Sequence, residues 1–123
     1  MREKRKFIRF EIPLKVNYIL LDEPKIEKTG MTKDVSAGGM HLLTEEKLET
    51  GKRIEFKIFI PEALNPAHLN GIVLWSKTVP ASAGKRLSYS AGIEFGSIEE
   101  DNKNTFLRFL CTLMYKKLGS QDR

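Results

Sequence analysis

Two arginines near the start of the chain have the spacing of a pair that could hold an anion. Arg5 and Arg9 form Arg-x-x-x-Arg immediately before the first predicted strand. The planar guanidinium group makes paired hydrogen bonds to phosphate or to the O6 and N7 edge of guanine, and it can also stack on a base. The pair therefore suits an anionic ligand that carries a guanine base.

A second motif, Asp-x-Ser-x-x-Gly, spans residues 34–39 and falls between two predicted strands. Asp34 and Ser36 offer an acceptor and a hydroxyl, which match the N1–H and the amine of guanine. Gly38 and Gly39 permit positive φ angles and the close approach of a flat ligand. Taken alone, the motif could equally be an ordinary turn that joins two strands, and an arginine pair in a basic segment is common by chance.

The residues that most enzymes and metal sites need are scarce in this sequence. The chain has two histidines, His41 and His68, with no further ligands at a workable metal-binding spacing. No glycine-rich loop precedes a helix, which gives no support to a nucleotide-binding loop of the Walker or dinucleotide type. Ser36 with His41, and the Glu45-Glu46 pair, need no catalytic role. The sequence favours binding over catalysis, and it predicts neither an enzyme nor a metal cofactor.

The positive charge is concentrated at the N-terminus. Of the formal net charge of +5, residues 2–9 contribute +4, from five basic side chains and one acidic side chain. A basic arm on a nearly neutral body favours a localised anionic ligand over the broad basic face of a nucleic-acid binder. Contact with RNA or an anionic membrane, or a merely solvated terminus, remains open at this point.

Alternating apolar residues predict a β-rich body. Strands are expected at about 12–20, 26–35, 40–43, 53–60, 70–79 and 87–95. Their short, regular spacing without intervening helices indicates an antiparallel sheet that closes into a barrel. The second strand is polar, so we expect it at an edge or opening of the sheet.

The period changes to that of a helix after Gly96. Ser97 and Glu100 form a capping box, and apolar residues then recur at helical spacing to predict a helix over about 97–118 that covers one mouth of the barrel. Cys111 falls within this run, so we expect it to be a small core residue. The predicted divisions are an arm at 1–9, a barrel domain with its helix at 10–119, and a tail at 120–123.

The two motifs, in this order and about 25 residues apart, resemble the PilZ family over nearly the whole chain. Residues 71–75, Gly-Ile-Val-Leu-Trp, resemble the family's Gly-x-Val-x-Trp strand, and residues 91–96 resemble its late Gly-Ile-x-Phe strand. The resemblance implies a bacterial, six-stranded antiparallel barrel of the split-barrel type with a C-terminal helix. It also implies a receptor for the second messenger cyclic di-GMP.

The resemblance further implies a role for each motif residue. Arg5 and Arg9 would contact phosphates and guanine, while Asp34 and Ser36 would contact the base or orient an arginine. Gly39, and less directly Gly38, would leave room for the ligand. Trp75 has two open interpretations, because it could stack on a base or face the core beside Val73.

The functional hypothesis is an adaptor whose arm changes conformation when cyclic di-GMP binds, which signals to an effector protein in trans. The alternatives are a small barrel that binds RNA or single-stranded DNA, and a PilZ-like interaction module without a ligand. No segment has the roughly 20 apolar residues needed to cross a bilayer, no signal peptide is recognisable, and the single cysteine fits a cytoplasmic location.

Overall fold

A computed structural model describes residues 8–22, 26–80, 88–96 and 100–121, with side chains between 105 and 116 in the terminal helix. The strands are β1 (Lys15–Leu20), β2 (Lys28–Val35), β3 (Gly39–Thr44), β4 (Arg53–Ile58), β5 (Ala67–Thr78) and β6 (Tyr89–Phe95), followed by the helix α1 (Glu100–Gln121). Arg5, Ser97 and most of the predicted arm lie outside the described residues.

The six strands form a closed barrel in the order β1-β2-β3-β6-β5-β4, and every neighbouring pair is antiparallel. This confirms the predicted six-stranded antiparallel barrel with one C-terminal helix. The final pairing, β1 with β4, joins the two ends of the sheet and leaves each strand bonded on both sides.

Alternation along the strands fills the barrel with apolar side chains. In β1 the inward residues are Val16, Tyr18 and Leu20, and in β4 they are Ile54, Phe56 and Ile58, all at most 6% exposed. Period-two spacing puts each set on one face of its strand. The interior is therefore a packed core, and ligand contacts must use the outer surface or the ends of the barrel.

The expectation that β2 lies at an edge was wrong, because β2 pairs with both β1 and β3. Its polar sequence has another cause. Thr32 is buried, with its hydroxyl accepting from the Leu14 amide and donating to the Ile12 carbonyl, both at 2.7 Å. A Cβ at Gly30 would meet the Leu43 carbonyl oxygen at 2.7 Å. Close packing therefore requires a residue without a side chain at position 30 of this strand.

The predicted start of the helix α1 at 97 lies outside the described residues, and the helix passes Gly119 to reach Gln121, about three residues beyond its predicted end. Phe106 and Leu110 are buried, and the Phe106 ring meets the edge of the Phe95 ring with centroids 5.5 Å apart. The prediction that Cys111 is a core residue was wrong, since its thiol is exposed. Cys111 lies outside the face of the helix that packs against the barrel.

Among the described residues, no helix is long and apolar enough to cross a membrane.

Candidate functional site

The position of Arg9 is set by a pair of backbone hydrogen bonds one residue further along. The Phe10 amide donates to the Val35 carbonyl at 2.8 Å, and the Val35 amide donates to the Phe10 carbonyl at 2.9 Å. This isolated bridge ties the segment before β1 to the end of β2. Arg9 is consequently brought beside Asp34, although 25 residues separate them in the sequence.

Arg9, Asp34 and His41 form a polar cluster at this junction. Nδ1 of His41 lies 2.6 Å from Oδ2 of Asp34, and Nη1 of Arg9 lies 3.4 Å from Oδ1 of the same carboxylate. Nη1 also lies 3.0 Å from Nε2 and 3.3 Å from Nδ1 of His41. The register of β2 and β3 places Asp34 directly opposite His41, just after an irregularity between Thr32 and Asp34. The cluster therefore joins three separate elements.

The Asp-x-Ser-x-x-Gly turn is closed by its own serine. Ser36 Oγ accepts from the amides of Gly38 and Gly39 at 3.2 Å each, and the Ser36 amide donates to the Gly39 carbonyl at 2.9 Å. The hydroxyl also lies within 3.2 Å of the Gly39 carbonyl. These contacts give Ser36 a role in shaping the turn.

The glycines of this turn do not use the backbone freedom expected of them. Among the described residues, positive φ occurs at Gly51 and Glu62 only. A Cβ at Gly39 would instead come 2.3 Å from the carbonyl oxygen of Ile93 on β6. The space that Gly39 leaves is thus taken by the neighbouring strand.

Trp75 faces the groove beside the cluster, and its neighbour Val73 faces the core. Val73 is fully buried, whereas Trp75 is half-buried, because an irregularity between them inserts Leu74 opposite β6. The indole and the His41 ring are 5.2 Å apart at their centroids and tilted by 55°. Nζ of Lys77 lies 5.0 Å from the indole centroid, within cation–π range. Of the two positions left open for Trp75, the structure shows the outer one.

A groove of about 250 Å³ lies beside these residues on one side of the barrel. Its lining comprises Arg9, Ser36, Gly38, Gly39, Met40, His41, Leu74, Trp75, Gly92, Ile93 and Glu94. Five of the seven sequence-predicted site residues line the groove. Asp34 does not line it, but it contacts Arg9 and His41, which do. Arg5 lies outside the described residues. A cation, an aromatic face and a tight turn therefore share one concave surface, which suits a flat anionic molecule.

A larger cavity of about 590 Å³ lies against β1, β4 and β5. Its outward polar lining includes Asn17, Glu55, Lys57 and His68, and it contains none of the predicted site residues. Its mixture of acidic and basic side chains has no single charge preference. We therefore regard the smaller groove as the candidate site.

Sequence reasoning missed six of the residues that line the groove, of which His41 and Gly92 have contacts that shape the site. His41 was considered only as a metal ligand or a catalytic base, although alternation after the buried Met40 points position 41 outward, next to the motif aspartate. Gly92 lies directly beneath Trp75, where a Cβ would come 2.4 Å from the indole Nε1. That contact depends on the pairing of Trp75 with Gly92, which no local pattern indicates. No group of three or more potential metal ligands occurs within the described part of the chain.

A closed antiparallel barrel with a C-terminal helix and a cationic, aromatic groove defines a class of small binding domains. The sequence model of the PilZ domain matches residues 3–111. The chain belongs to the PilZ domain family. A search of curated proteins found no match.

Three solved structures with the same fold are similar to this chain. The PilZ domain of YcgR from Escherichia coli, solved with c-di-GMP, is 16% identical with a TM-score of 0.72, covering 98% of this chain and 99% of that one. The inhibitor of motility MotI/DgrA from Bacillus subtilis is 18% identical with a TM-score of 0.72, covering 94% of this chain and 54% of that one. The MrkH–c-di-GMP complex from K. pneumonia is 14% identical with a TM-score of 0.65, covering 97% and 56%. The chain therefore spans about half the length of MotI/DgrA and of MrkH.

Proposed function

We propose that this chain is a receptor for cyclic di-GMP and that the nucleotide binds in the groove between Arg9 and Trp75. The observation that carries the proposal is the meeting of Arg9, the Asp34 turn and Trp75 on one concave surface. Membership of the PilZ family supports the same ligand, as do two structural relatives that were solved with c-di-GMP. The proposal includes no catalytic step.

Each groove residue has a role in this proposal. Arg9 would bind a phosphate or the Hoogsteen edge of guanine, and Arg5 would add a second guanidinium from the segment before it. Trp75 would stack on a base, an interaction worth about 1 to 3 kcal/mol. Asp34 would orient Arg9, and Ser36 with Gly38 and Gly39 would hold the turn in shape.

The charges around the groove fit a dianionic ligand. Arg9 lines the groove, and Nζ of Lys77 lies 5.0 Å from the centroid of the Trp75 ring. These two cations offset Glu94 and Asp34, and Asp34 is already engaged by Arg9 and His41. The excess of positive charge comes from residues 2–6 of the sequence, which carry four basic side chains and one acidic side chain.

We further propose that binding orders the arm and that the altered surface signals to an effector protein in trans. Like charges within residues 2–9 repel one another, and the two phosphates would offset that repulsion. Ordering a backbone costs roughly 1 to 2 kcal/mol per residue. Charge-assisted hydrogen bonds of about 1.5 to 3 kcal/mol each can balance this cost. The proposal places this signalling in the cytoplasm.

Calorimetric titration of the wild type and arginine variants with cyclic di-GMP tests the assignment. Arg9→Ala should weaken binding by about 1.5 to 3 kcal/mol, because it removes a charge-assisted contact. Arg9→Lys should recover only part of the loss, since an ammonium group cannot make the paired bonds of a guanidinium. Arg5→Ala should resemble Arg9→Ala.

Lys116→Ala is the matched charge control, because Lys116 is exposed near the far end of α1. It should leave the affinity nearly unchanged. Lys4→Ala and Lys6→Ala separate a specific clamp from a diffuse positive field. Equal losses at all four arm positions would reject the clamp and favour non-specific anion binding.

A further inference from the structure

His41, on β3, lies at the centre of the polar cluster, between the neighbouring strands β2 and β6. Asp34 on β2 lies opposite it on one side, and Gly92 on β6 lies opposite it on the other. A carboxylate is only an acceptor, so the 2.6 Å contact with Oδ2 of Asp34 requires a proton on Nδ1 of the ring. This assigns the ring a donor at Nδ1 and leaves Nε2 as the remaining nitrogen.

The guanidinium of Arg9 carries donors only, and it therefore needs acceptors. Oδ1 of Asp34 lies 3.4 Å from Nη1, and Nη1 is almost equidistant from the two ring nitrogens of His41, at 3.0 Å from Nε2 and 3.3 Å from Nδ1. Nη1 therefore lies over the face of the imidazole, where a planar guanidinium can stack on the ring. The edge of the same ring donates from Nδ1 to Asp34, so the carboxylate anchors both side chains.

Among the described residues, the shortest polar contact of the Arg9 guanidinium is the one with His41, at 3.0 Å. Without the imidazole, the 3.4 Å contact with Asp34 would remain to it in the described part of the chain, while its side chain is 33% exposed to solvent. A long side chain with one weak contact samples many rotamers, and a ligand must restrict them on binding. The Trp75 indole also packs against His41, which limits rotation of the ring.

We propose that His41 is a positioning residue that holds the Arg9 guanidinium in the groove, ready for the nucleotide. His41 acts through Arg9 and needs no contact of its own with the ligand. The inference rests on the proposed function for its effect on affinity, but the contacts among Arg9, Asp34 and His41 stand on the geometry of the three side chains alone.

A double-substitution cycle measured by calorimetry with cyclic di-GMP tests this dependence. His41→Ala should weaken binding about tenfold, as expected when the ring that supports the guanidinium is lost. In an Arg9→Ala background the same substitution should cause no further loss, because the residue it positions is absent. His41→Phe should restore part of the affinity, since it keeps a flat aromatic face beside the guanidinium. Thermal melts establish that each variant is folded.

His68→Gln is the matched control, because His68 lies on β5 seven residues from Trp75, roughly 20 Å along the strand, and lines the other cavity. It should bind like the wild type. Equal losses from His41→Ala in both backgrounds would overturn the proposal, because His41 would then act independently of Arg9.

Nitrogen-15 NMR of the imidazole rings tests these contacts without any nucleotide. The wild type should carry a proton on Nδ1 of His41, and Arg9→Ala should shift the ring-nitrogen signals of His41 while leaving those of His68 unchanged. An unprotonated Nδ1, or His41 signals that are the same in Arg9→Ala, would overturn the proposal. A chain that shows the Nδ1 proton but does not bind cyclic di-GMP would contradict the proposed function and leave the positioning contact supported.

Discussion

The indole of Trp75 rests on the backbone of β6, and only a glycine at position 92 allows this contact. A Cβ there would come 2.4 Å from Nε1 and 2.5 Å from Cε2 of the indole. Gly92→Ala should therefore displace Trp75 and weaken cyclic di-GMP binding about tenfold or more, since base stacking contributes about 1 to 3 kcal/mol.

Intrinsic fluorescence measures this displacement directly, because Trp75 is the only tryptophan in the sequence. The emission of Gly92→Ala should move to longer wavelength as the indole becomes more exposed. Tyr115→Ala, at an 80% exposed position on α1, should alter neither emission nor affinity. Unchanged emission and affinity in Gly92→Ala would show that the indole tolerates the extra methyl group.

Tyr18 makes folding stability sensitive to alkaline pH. Burial, followed by the negative charges of Glu46 and Glu45, raises the pKa of Tyr18 from 10.0 to about 12. Its stabilising contribution is fully present below pH 10 and is lost as pH rises through about 12, because the unfolded chain releases the proton first. The free energy of unfolding should thus fall by up to about 2 kcal/mol across this range.

Denaturant titrations from pH 9 to 12 test the assignment. Tyr18→Phe should remove this part of the pH dependence, whereas Tyr115→Phe, at the exposed position, should retain it. Identical slopes for the wild type and Tyr18→Phe would assign the alkaline loss to other groups, such as the lysines.

At the level of single residues, the sequence predicted those parts of the site that belong to local motifs. Arg9 and the Asp34 turn were found because their types and spacing have a chemical meaning within a few residues. Gly92 enters the groove only through strand pairing, so no local pattern reveals it. Alternation along β3 points His41 outward, but its position opposite Asp34 depends on the pairing of β2 with β3. Trp75 was undecided for the same reason, since the irregularity before it changes which face it occupies.

Among the elements, β2 holds the segment that leads into β1 through one buried hydroxyl, that of Thr32. Thr32 Oγ1 bonds the Leu14 amide and the Ile12 carbonyl, and the Thr32 amide donates to the Leu14 carbonyl at 2.9 Å. Thr32→Val keeps the shape but leaves the Leu14 amide without this acceptor. An unsatisfied buried donor costs about 1 to 3 kcal/mol.

Chemical denaturation should show a loss of about that size for Thr32→Val, while Thr29→Val, at an exposed position on the same strand, should lose less. Since the same segment leads back to Arg9, the Thr32 variant should also bind cyclic di-GMP more weakly. Full stability in Thr32→Val would mean that the segment is held without the hydroxyl.

The elements themselves were well predicted where alternation was strong. β1 and β4 follow a strict period of two, and each was found within a few residues of its bounds. The helix was found by its change of period, but it continues through Gly119, where the sequence predicted its end, because a single glycine lowers helix stability by only about 1 kcal/mol. The position of β2 within the sheet could not be predicted from its own residues, since whether a strand lies at an edge depends on pairing between distant segments.

In the whole molecule, closure of the barrel brings three distant segments to one groove. These segments are the residue before Phe10, the turn between β2 and β3, and the second half of β5. They meet because β6 pairs with both β3 and β5 and because Phe10 pairs with Val35. Most of the net charge of +5 lies in residues 2–9, which lead directly into this groove. We expect this arrangement to favour a compact dianion over an extended polyanion.

Calorimetric titration of the wild-type chain with cyclic di-GMP, beside the linear diguanylate and GTP, tests this account most directly. We expect binding of cyclic di-GMP at micromolar or lower concentration, weaker at high salt because the phosphates meet cations. The linear dinucleotide and GTP should bind far less tightly, since neither presents two guanines on a closed ring of two phosphates. Absence of cyclic di-GMP binding at tens of micromolar, or equal affinity for all three nucleotides, would contradict the assignment of the groove.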